Sequence, residues 1–197
     1  MSLNFGNMWT RPKKNNAVMK TNINVNKYKQ NRLVIKNSNN KPAIKSGMGT
    51  KAFWGTPTWI LFHSLAEKVN ERKYANHYMT MWNFIKEVCA ALPCPFCRTH
   101  AINYTNSVPI TNINTKEKLI TTLFNFHNDV NLRTGKSLVS RSVLTKYKSS
   151  NLKNILKLFN ERFFVSYIGR RQFDDWIKNK TRKSTEVFWN FYTRKLL

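Results

Sequence analysis

Acidic residues and cysteines are both scarce in this chain. Only 9 Asp or Glu stand against 34 Lys or Arg in 197 residues, a formal net charge of +25. Such a field favours acidic partners, nucleic acid or an anionic membrane surface without choosing among them. A solvated basic surface in a lysine- and asparagine-biased proteome accounts for it equally well. The three cysteines, Cys89, Cys94 and Cys97, are too few for a secreted scaffold stapled by disulfides. No apolar run approaches the ~20 residues needed to span a bilayer. The N-terminus lacks the apolar core of a secretory signal peptide. No nucleic-acid-binding motif accompanies the charge, so a nucleic-acid-binding protein would rest on charge alone.

What is present divides into three stretches. Residues 1–50 hold eleven Asn, ten Lys or Arg and no acidic residue. They cannot bury enough apolar surface to offset chain entropy, which predicts a basic, extended or disordered arm. Residues 51–136 carry helical periodicity without strand alternation. Thr56-Pro57 reads as an N-cap with proline at the first helical position, followed by Trp59, Phe62, His63, Ala66 and Val69. Tyr78, Trp82, Ile85, Cys89 and Leu92 predict a second helix over 74–92, which Pro93 ends. A third starts near Cys94. A fourth is capped by Thr115, has Glu117 in its first turn, and stops at Gly135. The expected class is therefore all-α, a four-helix bundle. Residues 137–197 form the third stretch, a helical C-terminal extension: irregular to 150, helical from an Asn151 cap to Gly169, then two shorter helices near 171–179 and 184–196. Their aromatic residues imply a second small unit or a partner-binding face.

Chemistry concentrates at Cys94-Pro95-Phe96-Cys97. Two cysteines separated by two residues can close a readily exchanged disulfide. Placed where a helix begins, they meet the partial positive charge that favours thiolate. Cys89, Cys94, Cys97 and His100 could supply four zinc ligands, but crowding on two helix ends is an unusual layout for a closed tetrahedral site. No metal is expected. The tetrapeptide also resembles the glutaredoxin site, which needs a strand before it and a later cis-proline. Here a helix precedes it, and Val108-Pro109 follows too closely. A second constellation is Phe124-Asn125-Phe126-His127-Asn128-Asp129-Val130-Asn131 with Gly135-Lys136. It sets a flat ring and carboxamides on one helix surface with a cation at its end, which suits a nucleotide or dinucleotide. Alone, these are equally polar residues capping a helix.

Trp59-x-x-x-His63, CPFC, His127-Asn128-x-Val130-Asn131 and Gly135-Lys136 occur in the order that characterises the Erv/ALR family of FAD-dependent sulfhydryl oxidases. The chain resembles that family over roughly 53–136. The resemblance implies a helical bundle holding FAD, usually as a homodimer. It also implies a flavin-linked thiol oxidase that forms disulfides in partner proteins. Cys97 would lie beside the flavin and Cys94 would meet the substrate dithiol; electrons would pass on to O2, giving H2O2. Thr56, Trp59, His63, His127, Asn128, Val130, Asn131 and Lys136 match flavin-pocket positions, with Thr56 standing where arginine is common. His100 would chiefly brace its helix. Thr134 stands where leucine is frequent.

This sequence lacks both the second, structural disulfide and the distal shuttle pair of many members. A core so reduced resembles the forms encoded by large DNA viruses that assemble in the cytoplasm, whose substrates include virion proteins and a thioredoxin-like carrier. The implied location is host cytoplasm or virion. The acid-free leader, poorer in Arg and Ser than in Lys and Asn, argues against the mitochondrial intermembrane space. The alternative role is a virion structural protein that keeps the oxidase fold, with its basic arm on an acidic or virion partner.

Overall fold

In the computed structural model, residues 50–167 and 172–197 are described. All fall within one compact unit, Ala43–Leu197. The arm expected over 1–50 lies outside the described residues except for Thr50, and so does Gly169.

No strand occurs among the described residues. Helix α1, Lys51–Lys68, is the central one. Six consecutive positions, Leu61 to Ala66, are all buried. Six residues at 3.6 per turn cover the whole circumference, so α1 is surrounded rather than one-sided. Helices α5 (Lys116–Arg133), α6 (Thr145–Lys148) and α7 (Leu152–Phe163) all pack on it.

The start of α1 corrects the expected cap. Thr50, not Thr56, is the N-cap, its hydroxyl accepting the Phe53 N–H at 3.2 Å. Pro57 therefore lies inside the helix and offers the Phe53 carbonyl no N–H. One residue on, the Thr58 hydroxyl donates to the Trp54 carbonyl at 2.7 Å. The fully formed first turn starts early because Thr50 satisfies an otherwise open helix end.

The expected helix over 74–92 is two: α2, Glu71–Ala75, capped by Asn70, and α3, Tyr78–Ala90. Helix α4, Pro95–Ser107, takes Cys94 as its N-cap. Thr115 caps α5 by accepting the Lys118 N–H, and Gly135 adopts φ +70° just beyond it. That left-handed value is where glycine is favoured. Asn151 caps α7 through the Asn154 N–H. Between these, 137–150 is more regular than expected, with a 3₁₀ turn at Arg141–Leu144 leading into α6.

The two short helices expected at the C-terminus are one, α8, Gln172–Phe191, ending in a π turn at Tyr192–Leu196. Thr181 and Thr185 do not interrupt it, because both are buried and the Thr185 hydroxyl bonds the Thr181 carbonyl at 2.7 Å.

The stretch from 137 onward shares its core with the earlier helices, in one cluster running from Trp54 to Leu196. Phe188 stacks on Phe84 of α3 at 3.9 Å between ring centroids. The Tyr192 hydroxyl donates to the Leu65 carbonyl at 2.7 Å, and the Asn70 N–H to the Leu196 carbonyl at 2.8 Å. Phe159, Phe163 and Phe164 form an aromatic knot with centroids 4.7 to 5.7 Å apart. Burying each such ring contributes about 2 kcal/mol. Several together match the roughly 5–15 kcal/mol by which a domain is stable at all. A chain ended after Lys148 should therefore lose its cooperative thermal transition by circular dichroism. The chain missing only residues 1–49 should keep it.

Candidate functional site

One cavity of about 470 Å³ opens between α1, the end of α3, α4, α5 and α6. That volume falls within the roughly 300–1,000 Å³ usual for small-molecule and cofactor sites.

Its disulfide sulfur comes from Cys97. Pro93 ends the preceding segment, and Cys94 opens α4 with extended backbone, φ −106° and ψ 116°. Three residues on, the Cys97 N–H points back to the Cys94 sulfur at 3.3 Å. The two sulfurs are joined as a disulfide with Cα atoms 5.2 Å apart. Both are half-buried, yet only Cys97 lines the cavity, and Cys94 lies outside it. Arg98 fixes this turn from behind, donating to the Leu92 carbonyl at 3.1 Å and to Asp174 of α8 at 3.2 Å. Cys89 is a free, buried thiol at the cavity floor, and burial pushes it up to about 12. It behaves as a small apolar group.

The same cavity is lined by a slab of rings. Trp59 on α1 lies parallel to His127 on α5, with centroids 4.2 Å apart and 6° between planes. Phe126 meets Trp59 edge-on at 5.1 Å and is itself backed by Tyr104 at 4.2 Å. Nε2 of His63 lies 3.1 Å from Nδ1 of His127, and Tyr147 stacks on His63 at 5.0 Å. One nitrogen of this histidine pair must donate and the other accept, so the accepting ring is a neutral imidazole.

Electrostatics agree with that geometry. His63 is lowered from 6.5 to about 3, first by burial, then by the charges of His127 and Lys146. His127 falls from 6.5 to about 4, first by burial, then by Lys136 and Lys146. Both rings are neutral at pH 7. In the unfolded chain they bind protons near 6.5, and in the folded chain only several units lower. The unfolded state thus holds more protons between those values, and stability falls as pH drops from about 6.5 towards 4. For His63 alone the slope approaches 1.4 kcal/mol per pH unit, about the value for one proton. Urea unfolding should show this loss between pH 6.5 and 5, and His63→Gln should reduce its slope by about half, since the His127 contribution remains.

The mouth carries the cations. Lys51, Arg133, Lys136 and Lys146 line the cavity with no acidic residue among its lining groups. The backbone N–H of Lys136 bonds the Asn131 carbonyl at 2.9 Å, seating this lysine at the end of α5.

Of the residues singled out in the sequence, Thr56, Trp59, Cys97, His127, Val130, Asn131 and Lys136 line this one cavity. His63 and Asn128 do not. His63 is buried behind His127 and orients it. The Asn128 carboxamide is spent on the backbone: its nitrogen donates to the Val139 carbonyl at 3.2 Å and its oxygen accepts the Val139 N–H at 3.0 Å. It thereby pins the segment that leads to Lys146 and Tyr147. His100 both lines the cavity and braces it, its Nε2 lying 2.8 Å from Asp129 Oδ2. Sequence reasoning missed Lys146 and Tyr147. Both sit on a one-turn helix inside a Ser- and Lys-rich stretch with no periodicity to mark it. The one signal was an aromatic ring alone among lysines.

A group with flat rings and a diphosphate suits this lining. Trp59, Phe126 and His127 offer neutral aromatic surface, and the cationic rim would meet phosphate oxygens. Among the described residues, no cluster of three or more His, Cys, Asp or Glu is placed to hold a metal ion. No described helix is long and apolar enough to cross a membrane.

Comparisons with known proteins agree with this arrangement. The model of the Erv1 / Alr family matches residues 56–148. A FAD-linked sulfhydryl oxidase of African swine fever virus (isolate Pig/Kenya/KEN-50/1950) is 33% identical over 108 residues, which is 53% of this chain and 84% of the relative. The protein of the same name from isolate Warthog/Namibia/Wart80/1980 is 32% identical over 104 residues, 53% and 84%. A protein of Invertebrate iridescent virus 3 is 31% identical over 97 residues, 48% of this chain and 66% of the relative. The chain thus spans just under two thirds of that iridescent virus protein. No solved structure matches the chain. The matched region runs from within α1 to the end of α6, with both cysteines of the disulfide and the whole ring slab; with that match and the 33% identical relative covered over 84% of its length, the chain belongs to the Erv1 / Alr family.

Proposed function

We propose that the protein is an FAD-linked sulfhydryl oxidase of viral origin that forms disulfides in partner proteins. The observation that carries this reading is the placement of one disulfide across a boundary: Cys97 inside a ring-lined cavity, Cys94 outside it. Relatives named FAD-linked sulfhydryl oxidases support it.

The chain's own residues account for the exchange. A substrate thiolate attacks Cys94 Sγ; a substrate–Cys94 disulfide forms, and the Cys97 sulfur leaves as thiolate. The N-terminus of α4 stabilises that leaving thiolate. The second substrate thiolate then attacks the substrate sulfur, releasing Cys94 as thiolate. Two electrons have moved from the substrate, now a disulfide, to the Cys94–Cys97 pair, and the substrate protons go to solvent. Trp59, Phe126 and His127 would hold the flavin ring system. Lys51, Arg133, Lys136 and Lys146 would hold its diphosphate, with Thr56, Val130 and Asn131 completing the wall. His63 and Asn128 act as positioning residues. Bound FAD supplies a two-electron acceptor that oxygen can reoxidise.

The net reaction is dithiol and O2 to disulfide and H2O2. The protein acts as a homodimer in host cytoplasm or virion, on a protein dithiol delivered by a thioredoxin-like carrier. The basic residues 1–50 meet an acidic or virion partner. Oxygen uptake with dithiothreitol tests the chemistry. The expected result is one H2O2 per dithiol oxidised, by yellow protein. Colourless protein carrying zinc would overturn it.

A further inference from the structure

A second, smaller recess of about 210 Å³ lies between the end of α3 and the N-terminal half of α8. Ala90 and Ala91 form one side, Trp176 and Ile177 the other, and Glu87 and Lys180 stand near it with opposite charges. Helix α8 lies wholly beyond the family match, which ends at residue 148. This groove therefore joins a wall from the family core to one that the matched region does not contain.

Its position relative to the disulfide is fixed by bonds. Ala91 precedes Leu92, whose carbonyl accepts from Arg98 Nε, and the same guanidinium holds Asp174. Asp174 is two residues from Trp176. Arg98 itself is tied to Cys94, its backbone N–H bonding the Cys94 carbonyl at 2.8 Å. The groove is thus linked through Arg98 to Cys94, the cysteine that does not line the cavity. Phe96, between the two cysteines, is 83% exposed, and Trp176 is 60% exposed, with Lys180 Nζ 5.3 Å from its ring centroid. Large apolar side chains held out in water, one between the two cysteines and one at the groove, are the usual mark of a contact surface.

We infer that the α3–α8 groove, with Phe96, docks the cysteine-bearing segment of the thiol substrate, taking an apolar side chain that lies a few residues from the attacking cysteine. This rests on the oxidase reading. The occupant follows from the chemistry: whatever attacks Cys94 must bring a stretch of chain over this surface. The apolar walls accept a leucine or phenylalanine, while Glu87 and Lys180 meet polar groups at its flank. A small dithiol needs none of these contacts.

The test uses the full chain with a series of dithiol peptides, each carrying one leucine placed one to five residues from its first cysteine, and an all-serine control. The wild-type protein should prefer at least one leucine peptide by about tenfold in kcat/KM, the discrimination a hydrophobic pocket gives. Trp176→Ala should bring that ratio close to one. Ala90→Trp, at an exposed position, should raise KM for the same peptide by filling the groove. Both variants should oxidise dithiothreitol at the wild-type rate and keep their flavin. The docking site is refuted if no peptide is preferred, or if the preference survives both substitutions. It is equally refuted if Trp176→Ala alters the oligomeric state but not the ratio, for then a second copy occupies the groove. Failure of the wild-type protein to oxidise dithiothreitol would instead sink the oxidase reading itself, and the docking site with it.

Discussion

Replacing Cys97 with serine should lower dithiol oxidation by roughly three orders of magnitude, the scale of losing a residue that acts as a unit with its partner, while the protein stays yellow. The change swaps one atom at the cavity wall, so the ring slab of Trp59, Phe126 and His127 keeps its surface and Lys136 and Lys146 keep their charges. The helix start survives as well, because the residue that caps α4 is Cys94, not Cys97. What disappears is the only sulfur of the pair that lines the cavity. Cys94→Ser should be as inactive towards substrate, for a different reason: the half-buried sulfur outside the cavity, where substrate can approach, is gone. Cys89→Ala should leave turnover near wild type. A buried thiol pushed up to about 12 is not a nucleophile at neutral pH. Oxygen uptake and visible absorbance on the same three samples separate these outcomes.

Trp59→Ala should release the flavin. Trp59 is, with His63, a ring through which α1 meets α5, parallel to His127 and edge-on to both Phe62 at 6.1 Å and Phe126 at 5.1 Å. Its loss opens a void where a flat ligand would lie, and it admits water to His127. Large-to-small substitutions of fully buried aromatics cost about 3–5 kcal/mol. Trp59 is only partly buried, so a cost of about 2 kcal/mol is expected from the area lost. Desalted Trp59→Ala should be colourless and melt several degrees lower, and the His127 resonance should titrate closer to the usual histidine range. Trp59→Phe should recover most of the stability and part of the colour. A Trp59→Ala protein with full flavin content would mean that the cavity is not the flavin site.

How much of this was legible in the sequence follows from which signals are local. Caps are local: Thr115, Asn151 and the proline-flanked Cys94 each start a helix with a side-chain acceptor, and Gly135 ends one with the backbone only glycine adopts freely. Periodicity is nearly local, which is why the all-α class was readable. The early start of α1 was not, because Thr56-Pro57 and Thr50 offer the same cap chemistry and only packing decides between them. Burial of Phe53 and Trp54 favours the longer helix. The integration of α7 and α8 into the core was also hidden. An aromatic stripe looks alike whether it meets a partner or its own chain, and Phe188 finds Phe84 more than a hundred residues away. At the site, Trp59, His127 and Cys97 stood out by spacing. In sequence Asn128 suits a ligand contact equally well, a carboxamide standing beside His127. Its bonds to Val139 could be known only once the chain after Gly135 had turned back along α5.

The central claim is that Cys97 hands two electrons across the cavity wall to a bound flavin, and one measurement addresses it directly. A reducing dithiol is added without oxygen, and the visible absorbance of the wild-type protein and of Cys97→Ser is followed in time. The account predicts that the yellow band of the wild type is lost on the timescale of turnover and returns when air is admitted, while that of Cys97→Ser persists. Loss of the band at the wild-type rate in Cys97→Ser would contradict it.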